Sequence, residues 1–358
     1  MRIAQVAPLY ERVPPLLYGG TERVVSYLTE ELVRLGHQVT LFASGDSITA
    51  AKLIAPCERA LRLDKKCQDS LSYHVVMLDQ VFHRRSEFDI VHFHIDYLHF
   101  PVSNRTGIRN ITTLHGRLDL PELSVVYRQF PNVPLLSISN AQRRPLAFAN
   151  WRATVYHGLP PGLLSLESKE GDYLAFLGRI SPEKRVDRAI VIAKLSGIPL
   201  RIAAKVDRAD QEYFEAHIKP LLDHPLIEFI GEIGEKEKQE FLGGARALLF
   251  PIDWPEPFGL AMIEALACGT PVIAFRRGSV PEIIDHGRAG FIVDSVEEAV
   301  KAVDRVGSLS RTECRKIFER RFSASRMAGD YVREYTRLLA GDRPEVAGID
   351  AWAPLTRL

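Results

Sequence analysis

Phe250-Pro-Ile-Asp-Trp-Pro-Glu-Pro-Phe-Gly-Leu-Ala-Met-Ile-Glu-Ala-Leu-Ala-Cys-Gly-Thr-Pro-Val-Ile-Ala-Phe275 reads as the end of one strand, a loop, a helix and a second strand. The apolar run Ala247-Leu-Leu-Phe250 is a short buried strand that stops at Pro251. A loop rich in proline and tryptophan follows, and a helix opens near Phe258-Gly259. It runs to Gly269, a helix-stopping glycine, and Pro271 to Phe275 is the next strand.

Pro257 disfavours helix at the residue before it, which leaves Glu256 in the loop at the helix mouth. Glu264 lies between one and two turns inside. Between them the amides of Gly259, Leu260 and Ala261 have no partner within the helix, and Gly259 has no side chain to bar a close approach. Free amides at a helix N-terminus bind anions, and a carboxylate on each side can accept hydrogen bonds from sugar hydroxyls. A phosphate between two hydroxyl-bearing groups describes a nucleotide sugar. The other reading of these residues is a surface glutamate followed by a buried amphipathic helix.

Glu256 and Glu264, with seven residues between them, resemble the E-x7-E signature of family 4 retaining glycosyltransferases, and the surrounding Pro-Glu-Pro-Phe-Gly-Leu and Glu-Ala-Leu-Ala-Cys-Gly-Thr-Pro-Val-Ile-Ala make the resemblance more specific. It implies that Phe258, Gly259, Leu260, Ala261 and Glu264 line a donor site, with Glu256 beside the sugar. It also implies an α/β GT-B fold, in which two doubly wound Rossmann-like domains face each other across a cleft.

The rest of the chain reads the same way. Apolar strands are expected near 2–7, 38–43, 89–93, 111–115, 134–138 and 153–156, then near 173–177, 199–204, 226–230, 247–250, 271–275 and 290–293. Helices are expected at about 21–35, 72–86 and 140–149, then 184–197, 210–222, 235–244, 259–268 and 295–306. That alternation predicts parallel sheets covered by helices. The proline- and glycine-containing stretch Gly158 to Asp172 is the break between halves. The expected divisions are an acceptor-side domain at 1–160, a donor domain at 161–323, a helix crossing back at 324–340 and a tail at 341–358.

Several loops carry candidate site residues. Gly19-Gly20-Thr21-Glu22 puts a glycine pair between strand and helix, a place for close approach to a ligand or simply a tight turn capped by Thr21. By resemblance this loop meets the donor diphosphate and the acceptor, with Pro14-Pro15 and Tyr18 shaping the acceptor entrance. His92 and His94 fall on one face of a strand and invite a metal reading, but the sequence has no D-x-D pair. His94 and Asp96 are acceptor-side candidates. His115, at a strand end before Gly116, resembles the histidine that the family places by the anomeric centre. Ser139 or Asn140 caps the following helix, a structural role. His157 stands where the family commonly has asparagine, and its role is open.

Phe176-Leu-Gly178-Arg179 and Lys184 form the partner of the opening stretch. A guanidinium fork and an ammonium at a helix start suit a diphosphate leaving group, and the arrangement resembles the family's donor clamp. Such a clamp does what a metal ion does elsewhere, so neither metal nor cofactor is expected. Gly178 borders it, Ile233 falls in the loop that by resemblance grips the base, and Lys205 borders the cleft.

The 358 residues suggest two domains. The net charge of +1 argues against a nucleic-acid binder. The four cysteines, far apart and without a C-x-x-C pair, read as reduced thiols, and no run approaches the ~18 residues of a membrane span. The expected location is the cytoplasm, with any membrane association peripheral. The expected activity is transfer of a hexose from a nucleotide-diphosphate sugar, a UDP-sugar favoured, to an unidentified hydroxyl acceptor. A nucleotide-sugar epimerase of the same fold and a non-catalytic nucleotide-sugar binder are the alternatives.

Overall fold

The computed structural model describes residues 1–17 and 19–341, so Tyr18 and nearly all of the expected tail lie outside the described residues. Among the described residues the chain forms two parallel sheets. The first contains β1 (Arg2–Val6), β2 (Gln38–Phe42), β3 (Lys52–Ile54), β4 (Ile90–Phe93), β5 (Asn110–Thr113), β6 (Leu135–Ser137) and β7 (Trp151–Thr154). Their order across the sheet is β3-β2-β1-β4-β5-β6-β7. The second contains β8 (Tyr173–Arg179), β9 (Leu200–Lys205), β10 (Ile227–Gly231), β11 (Ala245–Phe250), β12 (Val272–Phe275) and β13 (Gly290–Val293), in the order β10-β9-β8-β11-β12-β13.

The helices that cover the first sheet are α1 (Gly20–Arg34), α2 (Ser70–His83), α3 (Phe100–Thr106), α4 (Pro121–Gln129) and α5 (Asn140–Arg143). Those of the second are α6 (Val186–Ser196), α7 (Gln211–Tyr213), α8 (Lys238–Gly243), α9 (Leu260–Ala267), α10 (Val280–Ile283), α11 (Val296–Arg305) and α12 (Arg311–Arg321); α13 (Ala324–Leu339) closes the described chain. With helices on both faces, the central strands are buried on both sides, which is why they read as continuous apolar runs. Ala4 and Val6 on β1, and Ala247, Leu248 and Leu249 on β11, are almost wholly buried. Each large apolar side chain so buried contributes about 1.5–3 kcal/mol.

In each sheet the strand order reverses beside the first strand, between β1 and β4 and between β8 and β11. Ligands of open parallel sheets lie at the carboxyl ends of such a reversal. The residues at those ends are Ala7, His94, Arg179 and Pro251, and the loops that leave them face one another.

α13 returns to the first sheet. It packs on α1, and its Tyr335 hydroxyl meets both Gln5 on β1 and His92 on β4. The chain reaches it by close backbone contact: Ala324 donates its amide to the carbonyl of Leu159, and a Cβ on Gly158 would lie 2.3 Å from the Ser323 carbonyl oxygen.

The sequence reading missed five elements, the four-residue α10 among them. β3 is a three-residue edge strand, and α3 and α4 are short helices with proline in their first turn. α12 is mostly charged, and only Arg311, Cys314, Ile317 and Phe318 turn inward. Two expected helices are shorter or broken. The one at 140–149 ends its α-helical part at Arg143, ahead of Pro145, and the one at 210–222 becomes a π turn and a 3-10 turn around Pro220. β7 also begins and ends two residues earlier than expected, and Lys184 precedes its helix, in a 3-10 turn that ends at Arg185 with φ 54°.

Candidate active site

The facing loops enclose a cleft of about 740 Å³. Lining it are His115, Arg179, Lys184, Glu256, Gly19, Gly20, Gly178, Ile233, Phe258, Gly259, Leu260, Ala261, Glu264, His94 and Asp96, whereas Pro14 and Pro15, expected at the acceptor entrance, are not part of the lining. Tyr18, the remaining candidate, lies outside the described residues.

The mouth of α9 forms the floor of the second-sheet wall. Gly259 has φ 83°, and a Cβ there would come within 2.8 Å of Met262 Cε and 2.9 Å of Phe250 Cζ, so the position requires glycine on two grounds. The loop before it is pinned from behind. Ser279 donates its amide to Glu256 O at 3.0 Å and its hydroxyl to Phe258 O at 2.8 Å. Both glutamates of the motif are buried and already hold a cation. Glu256 accepts from Lys184 Nζ and, at 2.9 Å, from the indole N–H of Trp254, whose ring lies 5.1 Å beneath the same ammonium. Glu264 accepts from Lys238 Nζ at 2.6 Å. Arg179 points between Glu183 at 2.7 Å and Asp207 and Asp210 at 3.6 Å. Lys238 and Trp254 were missed by sequence reasoning, because their importance comes from contacts a fold must make.

The first-sheet wall starts at the mouth of α1. The helix is capped by Gly19 (φ 151°) with no side-chain cap, so Thr21 is not the capping residue the turn reading expected. A Cβ on Gly20 would lie 3.6 Å from Leu260 Cδ1, which places the starts of α1 and α9 side by side across the cleft. Arg23, almost wholly buried, donates to Leu17 O at 2.6 Å and pairs at 2.5 Å with Glu235 of the opposite wall; the Tyr27 hydroxyl joins the same carboxylate.

Above α1 runs a chain of neutral hydrogen bonds. Gln5 Nε2 donates to the Tyr335 hydroxyl at 3.1 Å, and Gln5 Oε1 accepts from His94 Nε2 at 2.7 Å. His94 Nδ1 is then an acceptor, so His115 Nε2 carries the proton it donates across 2.9 Å. What remains on His115 is the Nδ1 lone pair, buried and with no partner among the described residues. Burial holds the His115 imidazole down at about 3, and burial likewise drives His92, His94 and His157 well below the usual histidine range, so all four are neutral. His92 is bound to Tyr335 and Thr113, and His94 to Gln5 and His115, so neither aims a free nitrogen at a shared centre. Among the described residues no group of three His, Cys, Asp or Glu side chains is placed to hold a metal ion. His157 stacks on His115 (5.3 Å, 15°) and touches Phe258 (4.7 Å), joining the two walls. Ser139 caps α5 through Gln142 N, as the sequence suggested.

Comparison with known proteins agrees with this geometry. Residues 18–160 match the family model Glycosyltransferase Family 4, and residues 165–321 match Glycosyl transferases group 1. An uncharacterized 41.2 kDa protein in the cps region of Klebsiella pneumoniae is 28% identical over 174 residues, about half of each chain. The phosphatidyl-myo-inositol mannosyltransferase of Mycobacterium leprae is 23% identical across 97% of this chain and 100% of its own. The crystal structure of Anabaena HepE in complex with UDP-glucose superposes with a TM-score of 0.70 at 16% identity, over 94% of this chain and 99% of that one, which establishes a shared fold. Among the described residues no helix is long and apolar enough to cross a membrane. Two facing parallel sheets with this site between them are a GT-B fold, and the chain belongs to the family 4, or group 1, glycosyltransferases.

Proposed function

We propose that this chain transfers a hexose from a nucleotide-diphosphate sugar, UDP-glucose-like in class, to a hydroxyl acceptor with retention at the anomeric carbon. The observation that carries the reading is the mouth of α9, where the amides of Gly259, Leu260 and Ala261 lie between two carboxylate–lysine pairs and beside the start of α1. The UDP-glucose complex of HepE supports the donor class.

In this reading the diphosphate rests on the α9 amides and on Gly20, and Arg179 and Lys184 neutralise it. Each lysine is held by a carboxylate until the donor arrives. When the diphosphate takes Lys184, Glu256 is released to accept from hydroxyls of the sugar, and when the ribose reaches Glu264, Lys238 shifts toward the phosphates. His115 accepts a sugar hydroxyl on its open Nδ1. Ile233 and Gly178 border the base and phosphate, while the segment 1–160 supplies the acceptor side and 161–323 the donor side. Reaction breaks the bond from the anomeric carbon to the β-phosphate oxygen and forms one from that carbon to the acceptor oxygen on the same face. The acceptor proton leaves on the departing phosphate. Catalysis is electrostatic positioning of a developing negative leaving group, and no enzyme nucleophile takes part.

The test follows slow hydrolysis of UDP-, GDP- and ADP-sugars by NMR in the absence of acceptor. Release of one sugar as the α-anomer from an α-linked donor is expected. First release of the β-anomer would overturn retention, and absence of both hydrolysis and nucleotide binding would overturn the donor site.

A further inference from the structure

The acceptor half of the cleft carries two carboxyl groups that the donor chemistry leaves unused. Asp96 follows the end of β4 with φ 52°, a left-handed conformation that a non-glycine residue adopts at some cost. It is exposed on the cleft lining, and among the described residues its carboxylate makes no ion pair or side-chain hydrogen bond. Glu22, in the first turn of α1, is 6% exposed and lines the same space. Its carboxyl is pushed up to about 7, chiefly by burial.

Arg62, on the same lining, pairs with the buried Glu11 at 3.0 Å and lies 6.0 Å over the Tyr10 ring. Two partly exposed aromatic rings, Tyr10 at 42% and Tyr97 at 39%, stand on the same lining, Tyr10 packing 5.0 Å from the His74 ring. Carboxylates accept hydrogen bonds from hydroxyls, and aromatic faces receive the apolar C–H face of a sugar ring. A phosphate brought here would meet like charge from Asp96, from Glu22 in its ionised form, and from the donor's own diphosphate, which disfavours its binding.

Resting on the glycosyltransferase reading above, we propose that the acceptor is an uncharged polyhydroxylated ring carrying no phosphate, its hydroxyls held by Asp96 and its apolar face laid on Tyr10 and Tyr97. Asp96 is then the residue that selects against phosphorylated acceptors.

The experiment first fixes the donor by its acceptor-free hydrolysis, then offers matched acceptors to the full chain: free hexoses and myo-inositol against their monophosphates. The free member of at least one pair is expected to react more than tenfold faster in kcat/KM than its phosphate. Asp96→Asn, which preserves shape and tolerates the left-handed backbone, raises the KM of that acceptor about tenfold and narrows the discrimination against its phosphate. Tyr10→Ala raises the same KM with the melting temperature unchanged, whereas Tyr10→Phe, which keeps the ring, does not; a rise in KM accompanied by a lowered melting temperature would mark the ring as structural packing and overturn its place under the sugar. Preference for the phosphate in every pair, abolished by Arg62→Gln, would overturn the proposal and make Arg62 the recognition group. Turnover of neither member, with donor hydrolysis intact, would also overturn it while leaving the donor reading standing. Loss of donor hydrolysis and nucleotide binding would bring down both.

Discussion

The two walls of the cleft solve opposite problems. The second-sheet wall is crowded with charge, and each of its main groups is held by an opposite one: Lys184 by Glu256, Lys238 by Glu264, Arg179 by Glu183, Asp207 and Asp210. The centre of the first-sheet wall is neutral, a relay of histidines, glutamine and tyrosine that ends in one open lone pair on His115. A wall that must receive a diphosphate needs cations, and buried cations without partners are costly, so they are stored against carboxylates until the ligand takes them. A wall that must orient uncharged hydroxyls needs fixed direction instead. Tautomers fixed by a hydrogen-bond chain supply it without a charge to desolvate.

Removing one charge from the first kind of wall should do the most damage. Lys184→Ala is expected to lower kcat by about 10²–10³-fold, because it removes a leaving-group cation and leaves Glu256 facing the diphosphate. Steady-state kinetics with the identified donor checks this, and thermal melting checks that the fold survives. Near-normal turnover would mean that the stored pairs are structural and that the contrast between the walls has no catalytic content.

Gly259→Ala tests the backbone of the same wall. The added methyl meets Met262 and Phe250 at under 3 Å and the residue is forced to keep φ 83°, so about 1–3 kcal/mol of stability should be lost, together with donor affinity. Urea denaturation and nucleotide titration read the two effects separately. Loss of stability with unchanged affinity would show that the α9 amides do not contact the ligand.

The histidine relay is tested by acid. Its members have pKa values in the folded chain below that of an unfolded histidine, so the unfolded chain binds more protons as pH falls below about 6.5. Stability is therefore complete at higher pH and is lost as pH falls from about 6.5 toward the folded value. For His115, held at about 3 by burial, this amounts to about 2 kcal/mol at pH 5. His92, His94 and His157 shift in the same direction and add to the loss. Glu22, raised to about 7, shifts stability in the opposite direction over the same range, so urea midpoints at pH 7.5 and 5 measure the loss in a Glu22→Gln background, where equal midpoints would mean that the relay is not neutral.

The sequence exposed the two walls unequally. Around α9, prolines and glycines fix the backbone, so Pro257, Gly259 and Gly269 marked the helix mouth and placed Glu256 and Glu264 on either side of it. Arg179 and Lys184 were legible because they sit at the end of an apolar strand. The first wall is assembled from residues far apart. Tyr335 reaches Gln5 and His92 from the opposite end of the chain, and nothing local to any of them announces the contact. The cation partners were hidden for the same reason: Lys238 lies 26 residues from Glu264, and Arg23 lies 212 from Glu235. In the fold, helices with proline in their first turn (α3, α4) and the mainly charged α12 lacked the apolar period that revealed the others.

Arg23 and Glu235 are where the two walls touch, and they give the smallest and most discriminating effect. Arg23 is nearly buried on α1 and also holds the Leu17 carbonyl, while Glu235 is about one-third exposed on the opposite loop. Glu235→Gln keeps the shape and the Tyr27 contact but removes the ionic part of the tie. Because Glu235 is partly screened by solvent, the expected cost is about 1 kcal/mol, read as a threefold to tenfold rise in donor KM with kcat changed less than twofold. That split would mean the tie favours the arrangement in which the mouths of α1 and α9 stand together but does not act in bond breaking. A fall in kcat at constant KM would place the tie in the transition state. Arg23 would then count with Lys184 and Arg179, and the division into a charged wall and a neutral one would give way to charge supplied from both sides.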